Sequence, residues 1–211
     1  GSPGSPWPGS FPEAAVHPYN DRMRQDIDRI LIDRETIARR IQELGREIAG
    51  DLADSIGDDG LMLIPVMTGS ITFVADLMRE LPLRMRIGLI TASSYPGTST
   101  TSQGVTLEGM LLPESLEGRH VLIIDDILDS GRTIRRVREE IESRSPRSVR
   151  SCVLLRKRIP EALETKCEYV GFDIENEFVV GYGLDYDDYY RNLPDIGVLR
   201  EDIIHATGGS R

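Results

Sequence analysis

This chain of 211 residues has few cysteines and no excess of positive charge. The two cysteines, Cys152 and Cys167, are too few for a disulfide framework or a zinc site, and this usage fits a reducing, cytoplasmic setting. Cys152 lies inside an apolar run, so we expect it to be buried and inert. Acidic residues outnumber basic residues by 35 to 25, which gives a formal net charge of −10. Because a long, sequence-independent contact with nucleic acid needs a basic surface, this balance argues against a nucleic-acid partner.

Long apolar runs are missing as well. No run approaches the roughly 18 residues that span a membrane, so we expect no membrane partner. The chain has no G-x-x-x-x-G-K-[ST] motif, which excludes a P-loop NTPase, and its three histidines show no metal-ligand spacing. Residues 1–18 lack the charged-then-apolar order of a signal peptide and are rich in Gly, Pro and Ser. We expect them to form a flexible tail ahead of a single domain over residues 19–211.

Helix and strand patterns alternate from residue 61 to residue 155. Apolar residues between Ile37 and Ile48 recur at helical spacing and predict a helix over 34–52, with Asp33 as its N-cap. Further helices are predicted over 71–81 and 133–143. Short apolar runs are typical of buried strands at 61–67, 84–91, 120–126, 149–155, 168–172 and 178–181. This order predicts an α/β domain with a mainly parallel sheet. The polar stretch ASSYPGTSTTSQG over 92–104 has no periodicity and predicts a mobile loop.

The segment VLIIDDILDSGRT, residues 121–133, joins a buried strand to a short turn and the start of a helix. In parallel sheets ligands bind beyond the carboxyl ends of the strands, and a helix N-terminus there suits a phosphate. Gly131 lets the backbone approach a ligand closely. The two acids Asp125 and Asp126 do not bind phosphate directly, but they accept hydrogen bonds from a sugar diol or hold Mg²⁺ through water. An acid pair alone is more often an ordinary strand end, whereas the whole arrangement indicates a sugar phosphate with a metal.

The segment resembles the phosphoribosyl-pyrophosphate (PRPP) motif of type I phosphoribosyltransferases. LLRKRIP at 154–160 and VGFDIENEFVVGYGLDYDDYYRNLP at 170–194 extend the resemblance to the hypoxanthine-guanine phosphoribosyltransferases, over residues 25 to 202. The resemblance implies a mainly parallel central sheet flanked by helices, with a small hood formed by N- and C-terminal segments. It also implies a homodimer or homotetramer and a dependence on Mg²⁺.

The resemblance implies roles for the residues of the PRPP site. Asp125 and Asp126 contact the ribose hydroxyls, directly or through Mg²⁺, and this chain has Asp-Asp where the family often has Glu-Asp. Asp129 matches the catalytic acid or base near N7 of the purine. The 5′-phosphate loop comprises Ser130, Gly131, Arg132 and Thr133.

For the purine, the resemblance implies that Lys157 donates to O6, that Phe178 stacks on the ring and that Val179 contributes backbone contacts. The Lys157 donor favours a 6-oxopurine over adenine, which presents an amine at that position. Asp185 matches a second Mg²⁺ ligand beside the base and the pyrophosphate.

On the pyrophosphate side, the resemblance implies contacts from Thr68, Gly69 and Arg191. Thr68 stands where the family commonly has Lys, although the contact is largely through backbone N–H groups. We expect the non-proline cis peptide of the family at Met67–Thr68. The loop around Ser94 and Tyr95, through Gln103, matches a mobile lid that excludes water during the reaction.

These features together predict a purine-salvage enzyme. It transfers the 5-phosphoribosyl group of PRPP to hypoxanthine, guanine or both, and it releases pyrophosphate. Two alternatives stay open at this point. One is a nucleotide-sensing regulator on the same fold, which the retained Asp129 and the acidic charge disfavour. The other is a phosphoribosyltransferase that prefers xanthine.

Overall fold

The computed structural model describes residues 23–57, 60–94 and 105–208. Within these ranges the helices are α1 Arg34–Leu52, α2 Ile71–Glu80, α3 Arg132–Glu142, α4 Pro160–Leu163 and α5 Glu201–Gly208. The strands are β1 Ile27–Ile32, β2 Leu61–Met67, β3 Met85–Ile87, β4 Leu89–Ser94, β5 Val105–Leu111, β6 His120–Leu128, β7 Ser148–Lys157, β8 Tyr169–Ile174, β9 Val179–Val180 and β10 Ile196–Leu199.

The main sheet has the strand order β5-β4-β2-β6-β7-β8, and β3 also pairs with β2. The strands pair in parallel except β4 and β5, which are antiparallel. β6 lies between β2 and β7, so the segment that carries the PRPP motif occupies the interior of the sheet. The predicted α/β class with a mainly parallel sheet is confirmed.

Both faces of the sheet are buried against helices. On β6, Leu122 and Ile124 pack into the core formed with α1 and α2, whereas Val121 and Ile123 pack into the core formed with α3. This two-sided burial explains why the strand is a continuous apolar run. α1 begins as predicted, because the Asp33 side chain accepts a hydrogen bond of 2.7 Å from the Thr36 N–H.

A second, three-stranded antiparallel sheet has the order β1-β10-β9. It joins the N-terminal strand to two strands near the C-terminus and forms the predicted hood. Asp195, just before β10, accepts hydrogen bonds from the backbone N–H, Nε and Nη2 of Arg34 at 2.9, 3.1 and 3.0 Å. These bonds attach the hood sheet to the start of α1.

Three predicted boundaries need correction. The strand expected over 84–91 is divided at Gly88 into β3 and β4, because β3 pairs only with β2 while β4 pairs with both β2 and β5. β6 runs on to Leu128, so Asp125 and Asp126 lie within the strand instead of at its end. The first residues of the predicted loop, 92–94, belong to β4, and 95–104 lie outside the described residues.

β5 was not predicted. Five of its seven residues are exposed and the other two are only partly buried, so it lacks the continuous apolar run on which the other strands were predicted. Among the described residues, no helix has the length and apolar character needed to cross a membrane.

Candidate active site

A cleft of about 540 Å³ opens at the carboxyl ends of β2 and β6. Its walls come from four parts of the chain: the end of β2 with the following turn, Ala92 of β4, the end of β6 with the following turn and the start of α3, and the loop after β9. The residues of the predicted site that line it are Thr68, Gly69, Asp125, Asp126, Asp129, Ser130, Gly131, Thr133, Asp185 and Arg191. Folding therefore brings together residues that are up to 123 positions apart in the sequence, from Thr68 to Arg191.

Asp125 and Asp126 provide the acidic floor of the cleft. Asp125 is only 6% exposed. Burial, and then the neighbouring charge of Asp126, raises the pKa of Asp125 well above its ordinary value. Burial also raises the pKa of Asp126, while the positive charge of Arg191 acts in the opposite direction. Two adjacent carboxyl groups held this far from water favour a bound cation or a hydrogen-bond donor.

The turn from Asp129 to Thr133 leads from β6 into α3. Gly131 precedes the helix in a left-handed conformation, with φ of 73°. A Cβ atom there would lie 2.0 Å from Oγ1 of Thr165, so a side chain is excluded by both backbone conformation and space. Ser130, Gly131 and Thr133 line the cleft; the side chain of Arg132 is exposed and is not part of the lining.

Lys157 is not among the residues that line the cleft, but it contacts Asp129, which does line it. Its Nζ atom lies 3.1 Å from Oδ2 of Asp129, and the Lys157 side chain is 12% exposed. The two flanking arginines form ion pairs with residues that do not line the cleft. Arg156 pairs with Asp173 at 2.6 Å, and Arg158 pairs with Glu175 at 3.0 Å. Alternation along the strand thus separates one lysine from two arginines in the run RKR.

The opposite end of the cleft is built by two loops in close contact. The Met67–Thr68 peptide is cis, as predicted. A Cβ on Gly69 would lie 1.9 Å from Oδ2 of Asp126, and a Cβ on Gly183 would lie 2.2 Å from the Gly69 carbonyl oxygen. Only glycine allows these approaches at both positions.

Arg191 closes this end of the cleft. It lies 2.9 Å from Asp185 and 3.1 Å from Asp188, and it donates a hydrogen bond of 2.9 Å to the Gly183 carbonyl. These contacts hold the guanidinium group beside the acidic floor.

Phe178 and Val179 are not among the residues that line the cleft. Phe178 is 40% exposed, contacts Tyr186 edge to face at 5.2 Å, and lines a second hollow of about 520 Å³ on the hood side. Val179 is buried in β9, where it pairs with Val198.

Comparison with known proteins agrees with this geometry. The phosphoribosyl transferase domain family matches residues 33–187. A hypoxanthine-guanine phosphoribosyltransferase of Mycobacterium avium is 46% identical over 176 residues, which cover 82% of this chain and 86% of that protein. The chain belongs to the hypoxanthine-guanine phosphoribosyltransferase family.

Two further proteins are similar to this chain. A hypoxanthine-guanine-xanthine phosphoribosyltransferase of Tritrichomonas foetus is 36% identical, covering 86% of this chain and 96% of that protein. The structure of a variant hypoxanthine phosphoribosyltransferase of Trypanosoma cruzi, complexed with the product IMP, superposes with a TM-score of 0.79. It is 37% identical and covers 89% of this chain and 97% of that chain.

The described residues contain no group of three or more His, Cys, Asp or Glu side chains placed to hold a metal ion. Four acids line the cleft, namely Asp125, Asp126, Asp129 and Asp185, and a hard cation beside Asp125, Asp126 and Asp185 would need further oxygen ligands from substrate or water.

Part of the predicted phosphoribosyltransferase site lies outside the described residues. Ser94 ends β4, but its side chain and Tyr95 lie outside the described residues. Sequence reasoning also missed Gly183, Asp188 and Thr165. The signal for Gly183 was present, since a glycine within a motif often marks a close approach. Thr165 lies between the segments 154–160 and 170–194 and belongs to neither.

Proposed function

We propose that this chain transfers the 5-phosphoribosyl group of PRPP to hypoxanthine, guanine or both. The bond between C1′ of the ribose and the pyrophosphate oxygen breaks, the bond between C1′ and N9 of the base forms, and the base loses one proton. The observation that carries the proposal is that Asp129, which pairs with Lys157, lines one cleft together with the acidic floor and the helix N-terminus.

The 5′-phosphate binds the turn 130–133. Ser130, Gly131 and Thr133 line the cleft at the start of α3, where free N–H groups and the helix dipole favour an anion. The amide of Arg132 completes this loop. Asp125 and Asp126 accept hydrogen bonds from the ribose hydroxyls, which suits carboxyl groups whose burial disfavours an isolated negative charge.

Asp125, Asp126 and Asp185 are the residues that would hold Mg²⁺, directly or through water. Their hard oxygen atoms fit this ion. When bound, Mg²⁺ neutralises charge on the pyrophosphate as it leaves. Arg191 adds a fixed positive charge at the same end, and the backbone of Thr68 and Gly69 contributes N–H donors.

The Lys157–Asp129 pair forms hydrogen bonds with one edge of the purine. O6 and N7 are neighbouring polar atoms on that edge, and a 6-oxopurine offers O6 as an acceptor while adenine offers an amine. Lys157 donates to O6, and Asp129 takes the proton from the adjacent nitrogen. Their separation of 3.1 Å allows both contacts at once.

Phe178 stacks on the base, and Val179 supplies backbone contacts. The exposed ring of Phe178 is available for such a contact. Both residues lie outside the cleft lining, so this part of the proposal requires the base to extend from the cleft toward the hood. The loop around Ser94 and Tyr95 closes over the reaction and excludes water.

A PRPP-dependent assay with hypoxanthine, guanine, xanthine, adenine and uracil tests the function. Hypoxanthine or guanine should be converted with Mg²⁺ and not after its removal by a chelator. Turnover of adenine or uracil in preference to both would contradict the proposal, and the absence of turnover with every base would support a regulator. The similarity to the xanthine-using relative favours including xanthine as the second candidate substrate.

We also propose a cytoplasmic location and a homodimer or homotetramer. Cys152 and Cys167 are both free thiols in the structure, which is compatible with a reducing compartment. Light scattering of the purified chain measures the oligomeric state directly.

A further inference from the structure

Arg135 lies one turn into α3, directly behind the turn 130–133. Its Nη2 atom donates a hydrogen bond of 2.8 Å to the carbonyl oxygen of Ser130, and its Nη1 atom donates one of 2.5 Å to Oγ1 of Thr165. A planar guanidinium group can hold two acceptors in this way, whereas a single ammonium group cannot hold them in the same fixed fork.

The bond to Ser130 determines where the next N–H group points. The Ser130 carbonyl and the Gly131 N–H belong to one planar trans peptide unit, so they point in opposite directions. With the carbonyl held on the Arg135 side, the N–H of Gly131 faces away from Arg135, and Gly131 itself lines the cleft.

Thr165 supports the same turn from below. It is 4% exposed, and its hydroxyl donates a hydrogen bond of 2.7 Å to the Glu161 carbonyl while it accepts from Arg135. Gly131 packs so closely on this hydroxyl that a Cβ would lie 2.0 Å from it. The guanidinium and the buried hydroxyl therefore form one brace behind the turn.

We propose that Arg135, with Thr165, is a positioning residue for the 5′-phosphate subsite. The brace keeps the Gly131 N–H aimed at the phosphate before the substrate arrives, and so lowers the free-energy cost of ordering the turn on binding. Arg135 is absent from the cleft lining and acts through the backbone. This inference rests on the proposed function, since it assigns the turn to the 5′-phosphate of PRPP.

The test compares Arg135→Gln, Arg135→Lys and Arg136→Gln in steady-state kinetics. Arg136 is the adjacent arginine of α3 and pairs with Glu140 at 3.7 Å, so its variant removes the same charge without touching the brace. Arg135→Gln should raise KM for PRPP about tenfold, with kcat and KM for hypoxanthine changed less than about threefold. Arg135→Lys should raise KM for PRPP at least about threefold, and Arg136→Gln less than about twofold.

A product-inhibition experiment separates positioning from general loosening of the cleft. IMP carries the 5′-phosphate and should inhibit Arg135→Gln about tenfold more weakly, whereas inhibition by pyrophosphate, which lacks it, should stay within about twofold of wild type. Equal weakening of both inhibitors would overturn the assignment. So would a wild-type KM for PRPP in Arg135→Gln, or full rescue by Arg135→Lys, which would reduce the role to charge.

Thr165→Val provides a second variant should Arg135→Gln fold poorly. It keeps the shape of the side chain and removes the acceptor, and it should raise KM for PRPP about threefold. An unchanged KM in this well-folded variant would count against the brace. A wild-type chain inactive with every base would instead contradict the proposed function itself, so the two failures are distinguishable.

Discussion

At the scale of single residues, the proposed function gives the central part to an ion pair between a lysine and an aspartate. Lys157 ends β7 and Asp129 follows the end of the neighbouring strand β6; they are 28 residues apart in the chain, and Lys157 Nζ lies 3.1 Å from Asp129 Oδ2. The roles proposed for them on the purine edge are separable, because Lys157 would be a fixed donor and Asp129 would exchange a proton.

Replacing Asp129 with Ala should lower kcat by about 10²- to 10⁴-fold, the usual contribution of a general acid or base. PRPP binding should remain measurable, because the phosphate turn and the acid pair are unchanged. Rapid-quench turnover and calorimetric titration with PRPP measure the two effects. The exposed Glu164→Gln is the control, and near-wild-type turnover of the Asp129 variant would rule out the assigned role.

Replacing Lys157 with Ala should raise KM for hypoxanthine at least about tenfold, since a charge-assisted hydrogen bond to O6 is lost. KM for PRPP should change much less. Arg158→Ala is a matched control, because it removes a neighbouring positive charge that pairs with Glu175 away from the cleft. An unchanged purine KM would mean that Lys157 does not contact the base.

His120 offers a test of pH-dependent stability far from the cleft. It is 9% exposed, with its ring nitrogens 2.7 Å from Oγ of Ser148 and 3.1 Å from the Ser55 carbonyl. Burial lowers its pKa below the ordinary 6.5, despite the hydrogen bond to Ser55. The folded state therefore favours the neutral ring, and stability that is present above pH 6.5 should be lost as pH falls through the lowered pKa.

The corresponding measurement is the free energy of unfolding in urea between pH 7.5 and pH 5 for wild type and His120→Gln, a range chosen to span the ordinary histidine pKa of about 6.5. The variant should show a shallower loss of stability on acidification. Parallel curves would mean that His120 does not titrate differently in the folded and unfolded chain.

At the scale of elements, the junction between β6 and α3 leaves no room for a side chain at Gly131. The strand is buried on both faces, and the turn after it must reverse direction within a few residues. Gly131 satisfies this through its positive φ and its missing side chain.

Gly131→Ala should lower the free energy of unfolding by about 1–3 kcal/mol, and it should also raise KM for PRPP. Gly118→Ala is a matched control: its φ is 71°, but no atom lies within 4 Å of the added Cβ. The control should show only the smaller conformational cost of about 1 kcal/mol. If urea unfolding showed equal destabilisation of the two variants, the clash of the new Cβ with Thr165 would not contribute to the loss of stability.

At the scale of the whole molecule, the hood is attached to the main domain by apolar packing and by hydrogen bonds, since Ile32, Ile196 and Val198 belong to the same core as the first two helices. Asp195 accepts three hydrogen bonds from Arg34. Burial by itself would raise the pKa of Asp195, but these bonds lower it overall.

Asp195→Asn should lower the free energy of unfolding by about 1 kcal/mol, a value kept small because Arg34 is half exposed. Amide hydrogen exchange should become faster in β10 than in the centre of the main sheet. Asp202→Asn is the control, since its pair with Arg200 is exposed and local. Unaltered exchange in β10 would show that Arg34 does not hold the hood.

The sequence by itself determined the local features. The α/β class, the helix over Arg34–Leu52 with its Asp33 cap, and the strand-turn-helix of the PRPP motif follow from periodicity and turn chemistry, which act between residues close in the chain. The cis peptide at Met67–Thr68 was predicted through resemblance alone. Strand β5 escaped prediction because its pairing with β4, and not a buried face of its own, defines it.

Only the tertiary structure decided which groups meet. The contact of Gly69 with Asp126, the pair of Lys157 with Asp129, and the brace of Arg135 and Thr165 join segments from different strands and helices. Such contacts depend on sheet order and on the packing of side chains against one another, which no local pattern encodes. Phe178, which the resemblance assigns to the purine site, is not among the residues that line the cleft.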